Sequence, residues 1–241
     1  MQACGVQSVR MAMYGRAGRI TVYSSHRGGA WSAAAGALTC HHDLLVTDEH
    51  GAGLREFLRC APATVWIEGT VRDPVRRVLA AMDPFAPPEI TAAVLDDARV
   101  LAGATLAELF ALCAWTAPGE ELLARHDSVS RMRSYVAAER ERARAALDAC
   151  LRHLDPPLDE EHRLCERGFP AAVIVRVASE RRIDAVVLGI TPRPRLARTL
   201  LGCTAERVAR TVASHVVVVK PSGAVSPMAP PPRAVALRGA A

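Results

Sequence analysis

Two valine-rich apolar runs, IDAVVLG at 183–189 and HVVVVK at 215–220, constrain this chain more than any other feature. Short, continuous apolar runs bounded by turn residues are the mark of strands buried on both faces. Between them lies a segment with helical period whose apolar side is Ala205, Val208, Ala209 and Val212. The pattern predicts a βαβ unit, two parallel strands joined by a crossover helix. Asp184 falls at the entrance of the first strand and Gly189 closes its carboxyl end. A run of prolines and arginines then leads to Gly202, and Cys203 and Thr204 open the helix. Ligands of doubly wound sheets bind at that edge. Glycines there let the backbone approach a ligand, and a helix amino end offers free N–H groups to an anion. The stretch has the outline of a phosphate loop.

The loop resembles that of the universal stress proteins. Their pattern is Gly, two residues, Gly, nine residues, Gly, then Ser or Thr, followed by a helix beginning near Ala-Glu-Arg-Val. Here the run is Gly189, Ile190, Thr191, Pro192, nine residues, Gly202, Cys203 and TAERVAR, so the outer glycines match and the middle one does not. GCTAERV together with VVVVKPSGAVSP is most similar to the tandem-domain type, universal stress protein E. The resemblance implies an α/β fold of the adenine nucleotide alpha hydrolase kind, an open parallel sheet ordered 3-2-1-4-5 with helices on both faces. It also implies ATP, accompanied by magnesium, as the family ligand. By position, Asp83 matches the family's aspartate near adenosine, and Ala114 falls where the second strand meets the base. Gly189, Arg193, Gly202, Cys203 and Thr204 would form the phosphate end.

Two departures weaken that site. Pro192 has no N–H to offer a phosphate, and Cys203 replaces a hydroxyl with a poorer donor. Arg193, Arg195 and Arg198 can supply charge in their place, or can be surface arginines. Asp83, in turn, reads equally as the cap of an Asp-Pro turn. The resemblance thus implies a non-enzymatic protein of the bacterial-type stress response, acting through a small-molecule or protein partner, with ATP binding weak or lost. One alternative is an ATP-binding protein with slow or no hydrolysis. The other is a thiol-based redox sensor through Cys203, because a thiol at a helix amino end near arginines acquires a lowered pKa.

The rest of the chain fits around this unit. Residues 1–18 carry no pattern and read as a poorly ordered lead-in. From Arg19, strand RITVYSS, a helical segment near Ala30 to Leu38, strand DLLVTDE, helix GLREFLRC and strand ATVWIEG form a partial, truncated copy of the fold over 19–67. A complete copy occupies 70–227. In it, RRVLAAMDP is the first strand, ITAAVLDDARVLAG a helix, LAELFALCAW the second strand, and a long helix spans about Ser130 to Leu154 with Met132, Val136, Ala143, Leu147, Cys150 and Leu154 on one stripe. HRLCERG, the helix FPAAVIVRVASERR and the two valine runs complete it. The tail, 228–241, reads as disordered. Three strands bury too little alone, so ATVWIEG and HVVVVK, the last strand of each copy, are expected close together, and a homodimer is expected to cover what stays open.

Composition excludes several other classes. No leader pattern appears, and the longest nearly uncharged run, Val100 to Trp115, is too short for a membrane span of ~20 residues, so the expectation is a soluble, cytoplasmic protein without a membrane partner. The seven cysteines are scattered and never in a CxxC pair, and CHH at 40–42 lacks partners at ligand spacing, so no metal site is expected. The net charge of +5 rests on arginines interleaved with glutamates, and aromatics are only 4% of residues, which argues against nucleic acid. Neither GxSxG nor GxxxxGK[ST] occurs, and no catalytic residue is expected.

Overall fold

The computed structural model describes residues 20–22, 44–48, 50–51, 53–61, 63–71, 74–121, 128–190 and 203–220. The lead-in, the segment 30–38, the CHH run, the loop 191–202 and the tail lie outside the described residues. In chain order the elements are β1 (Ile20–Val22), β2 (Leu44–Thr47), α1 (Leu54–Cys60), β3 (Thr64–Ile67), β4 (Arg77–Met82), α2 (Pro88–Thr105), β5 (Glu108–Trp115), α3 (Val129–Leu151), β6 (Arg163–Arg167), α4 (Pro170–Glu180), β7 (Ala185–Gly189), α5 (Cys203–Thr211) and β8 (His215–Val219). The strands form one eight-stranded sheet in the order β1-β2-β3-β8-β7-β4-β5-β6. From β4 onward this is the expected 3-2-1-4-5 arrangement, parallel throughout. No helix among the described residues is long and apolar enough to cross a membrane.

Alternation along the strands sorts the core into two layers. Leu45, Val65, Ile67, Leu79, Leu112, Val186, Leu188, Val216 and Val218 face α1, α4 and α5. Leu44, Val46, Trp66, Val78, Ala80, Ala111, Val187 and Val217 belong to the opposite layer with α2 and α3. The stripe on α3 is narrower than its sequence suggests. Ala143, Leu147 and Leu151 are buried, whereas Met132 and Val136, in the first half of this 23-residue helix, and Cys150 are half-covered. Ser128 starts it, its side chain accepting from the Arg131 N–H at 3.3 Å.

The strands ATVWIEG and HVVVVK meet directly. β3 pairs with β8 antiparallel, Val65 opposite Val218 and Ile67 opposite Val216, while β7 pairs with β8 on its other side in parallel. Polar contacts reinforce this seam. Glu206 of α5, buried, accepts from Arg55 Nε at 2.6 Å and lies 3.0 Å from the Arg210 guanidinium, which also donates to the Gly51 carbonyl at 2.7 Å. His50 reaches the carbonyls of Glu68 at 2.6 Å and Ala209 at 3.0 Å. Lys220, just past β8, donates to the carbonyl of Ala61 at the end of α1, where a cation suits the helix dipole. The Trp66 ring lies 5.2 Å from that of His215, whose Nδ1 accepts from the Gly69 N–H at 3.1 Å.

Gly69 permits the closest approach of the seam. A Cβ there would stand 2.3 Å from the Ala213 carbonyl oxygen and 2.4 Å from the Ser214 carbonyl, both backbone, so no side chain can swing away to make room. Gly103, in α2, has no heavy atom within 4 Å of where its Cβ would sit. Gly69→Ala is expected to lower stability by about 3 kcal/mol, the upper end for forcing atoms into a packed site. Gly103→Ala should raise it by up to about 1 kcal/mol through helix propensity. Urea denaturation of the two variants beside the parent checks both signs.

Candidate functional site

At the carboxyl ends of the parallel strands a cleft of about 620 Å³ opens. Its floor is Ala81 and Met82 of β4, Leu112 and Ala114 of β5, and Leu188 and Gly189 of β7. Ile90, Thr91 and Val94 of α2 form one wall, Pro170 and Ile174 of α4 another, and Thr204 and Ala205 of α5 the end. This is where strand order reverses: from β4 the chain first moves to β5 and β6, then returns to β7 on the other side. Helices from the two directions leave opposite faces of the sheet and splay at such a point, which creates the crevice.

Every crossover helix following a parallel strand starts at that strand's carboxyl edge, so α2, α4 and α5 all aim their amino ends at this rim. Neither α2 nor α4 has a side-chain cap. α4 also has no acidic residue in its first turn, whereas Glu89 offsets α2. The positive ends of helix dipoles thus face an apolar cleft, an environment suited to a ligand with a flat apolar part and an anionic part.

Four of the seven sequence-predicted site residues come together here: Asp83, Ala114, Gly189 and Thr204 all line the cleft. Arg193 and Gly202 lie outside the described residues, as do Pro192, Arg195 and Arg198. Cys203 is the first residue of α5, and its side chain is likewise outside the described set. Asp83 caps its Asp-Pro turn and also lines the cleft. Its Oδ1 accepts from the Phe85 N–H at 3.0 Å, its carbonyl accepts from Thr91 Oγ1 at 3.0 Å, and it stands at the cleft mouth. Gly189 has a packing reason to lack a side chain, since a Cβ would lie 2.6 Å from Ile90 Cγ2 and 3.1 Å from Val94 Cγ2.

Asp184 is placed as its position at the strand entrance suggests, at the opposite edge from the cleft. Its Oδ2 accepts from the Arg76 and Arg77 N–H groups at 2.8 and 3.0 Å, and its carbonyl accepts from the His215 N–H at 2.9 Å, which ties together the starts of β4, β7 and β8. The α2 and α4 walls are what sequence reasoning missed, including Phe169, which is 77% exposed beside the cleft. Pro170 was the available signal: a proline at the first helical position marks a helix start, and a helix start after a parallel strand lies on the ligand edge.

The sequence profile of the universal stress protein family matches residues 74–220, and the chain belongs to that family. It is 40% identical over 65 residues to the universal stress protein E homolog of Haemophilus influenzae, covering 27% of this chain and 21% of that one. It is 43% identical over 53 residues to a universal stress protein of Methanocaldococcus jannaschii, covering 22% and 31%. The matched stretches thus span less than a third of either curated relative. A putative universal stress protein from Pseudomonas aeruginosa UCBPP-PA14 shares the fold with a TM-score of 0.60 at 18% identity, over 92% of this chain and 90% of that one.

Substitution separates the turn bond of Asp83 from its charge. Asp83→Asn keeps an oxygen for the Phe85 N–H and is expected to leave stability within about 0.5 kcal/mol of the parent. Asp83→Ala should cost about 1 kcal/mol, the usual net worth of one hydrogen bond. Equal losses in chemical denaturation would show that the carboxylate charge, not the turn bond, matters to the fold.

Proposed function

We propose that this universal stress protein acts by binding a small ligand in the cleft between β4 and β7, without turning it over, and that its nucleotide loop is degenerate. The cleft carries the reading: its size lies within the roughly 300–1,000 Å³ of ligand sites, and it stands at the switch point of the sheet. The absence of turnover is supported by the lining. Among its described residues the only ionisable side chain is Asp83, and the Thr91 hydroxyl already donates to the Asp83 carbonyl. Neither supplies the paired acid and base that hydrolysis requires. An adenine nucleotide suits the shape, with the base near Ala114 and the phosphates toward Thr204 and the α5 amino end. Pro192 and Cys203 would then be the residues that weaken binding.

The decisive measurement is calorimetry with ATP and magnesium. The parent should bind weakly or not at all, and Pro192→Gly combined with Cys203→Ser should bind at least tenfold better, about 1.4 kcal/mol. The double change should gain more than either single change, because both donors would serve one phosphate chain. Micromolar binding by the parent would mean that the arginines compensate and the loop is not degenerate. Mass spectrometry of whatever is released on denaturing the purified chain identifies a ligand other than ATP.

A further inference from the structure

Away from the cleft lining, three cysteines gather where α3 covers β5 and β6. Cys113 and Cys165 are register partners across the β5/β6 ladder, so their side chains leave the sheet on the same face. Cys150 of α3 packs against the same core layer. Residues facing one another on neighbouring strands stand about 4.8 Å apart, inside the 4.4–6.8 Å between Cα atoms that a disulfide bridges. Cys113 is buried while Cys165 is partly open to solvent. Arg140 and Arg144, on the turns of α3 above, place two guanidinium charges near Cys165.

We propose that Cys165 and Cys113 form a reversible, peroxide-responsive thiol pair, in which Cys165 is the attacking sulfur and Cys113 the resolving one. This site is distinct from Cys203 and does not depend on the ligand cleft. Interaction with the neighbouring Cys113 and the two guanidiniums hold the Cys165 thiol below its ordinary range, so it is the member of the pair that ionises. Interaction with Cys165 and burial push Cys113 far up and keep it protonated. In the first step the Cys165 thiolate attacks a hydroperoxide. An S–O bond forms, the O–O bond breaks, and the departing alkoxide or hydroxide takes a proton from water, leaving a sulfenic acid. In the second, Cys113 sulfur attacks the Cys165 sulfur. The S–S bond forms, the S–O bond breaks, and the hydroxide leaves with the Cys113 proton as water. Two electrons pass from the thiols to the peroxide, and a dithiol reverses the change. The bridge would lie beside Ala114 and so next to the cleft floor.

The arginine-rich sequence makes the test direct, because trypsin separates Cys113 (residues 100–125), Cys150 (145–152) and Cys165 (164–167) into different peptides. The reduced full-length chain is treated with limiting hydrogen peroxide at neutral pH, alkylated and digested. A dithiothreitol-reversible link between the 164–167 and 100–125 peptides is expected. Cys165 should also be alkylated faster than Cys150, whose thiol is pushed up by burial. In Cys113→Ala, with folding confirmed by circular dichroism, dimedone should trap the Cys165 sulfenic acid. Failure of Cys165 to oxidise while other cysteines do, a link from Cys165 to any cysteine other than Cys113, or no dimedone adduct in the folded variant would each overturn the proposal.

Discussion

Everything in this fold depends on β8 being laddered on both sides. Its five residues are all buried, and its backbone is satisfied by β7 in one direction and β3 in the other. A strand with a neighbour on each edge leaves no backbone group to solvent, so valine repeated four times is a stable occupant rather than an aggregation hazard. That arrangement turns two sets of strands into one sheet and forces their side chains into shared layers. Leu45 and Val65 of the first half therefore belong to the same cluster as Val186 and Val208 of the second.

Much of this was legible because valine-rich runs, crossover helices and the edge rule together leave few topologies. The second half follows its sequence reading strand by strand, and the meeting of ATVWIEG with HVVVVK follows from the shortage of strands in the first half. The antiparallel sense of that meeting was not legible. A ladder of valines reads the same in either direction, and what fixes the sense is the backbone contact of Gly69 with Ser214 and the Arg55–Glu206–Arg210 cluster, which no local pattern announces. In the cleft, Asp83, Ala114, Gly189 and Thr204 could be placed because each sits at a strand end or helix start. Ile90, Val94 and Ile174 could not, since helical period alone does not tell which turn of a buried face overlooks a ligand.

The cleft and the thiol pair also show how one sheet separates two chemistries by parity. Ala114 and Cys113 are consecutive on β5 and therefore point to opposite faces. The first lines an apolar pocket toward α4, and the second meets Cys165 beneath α3 and its arginines. A single-residue slip of register would exchange them, so the burial pattern that fixes register also keeps the Cys113 sulfur off the face that carries Ala114.

The position of β8 has a last consequence, for how the chain is made. The bond from the Gly69 N–H to His215 closes a loop of 146 residues, and β3 gains its partner only when that distant segment has been synthesised. Until then the β3 edge of β1 to β3 has no partner, while β4 to β7 can already assemble from nearer neighbours. Long-range pairing of this kind is slow and leaves an exposed strand at risk of meeting the wrong partner. During translation, the β3 edge is therefore the part of the first half that stays unpaired longest.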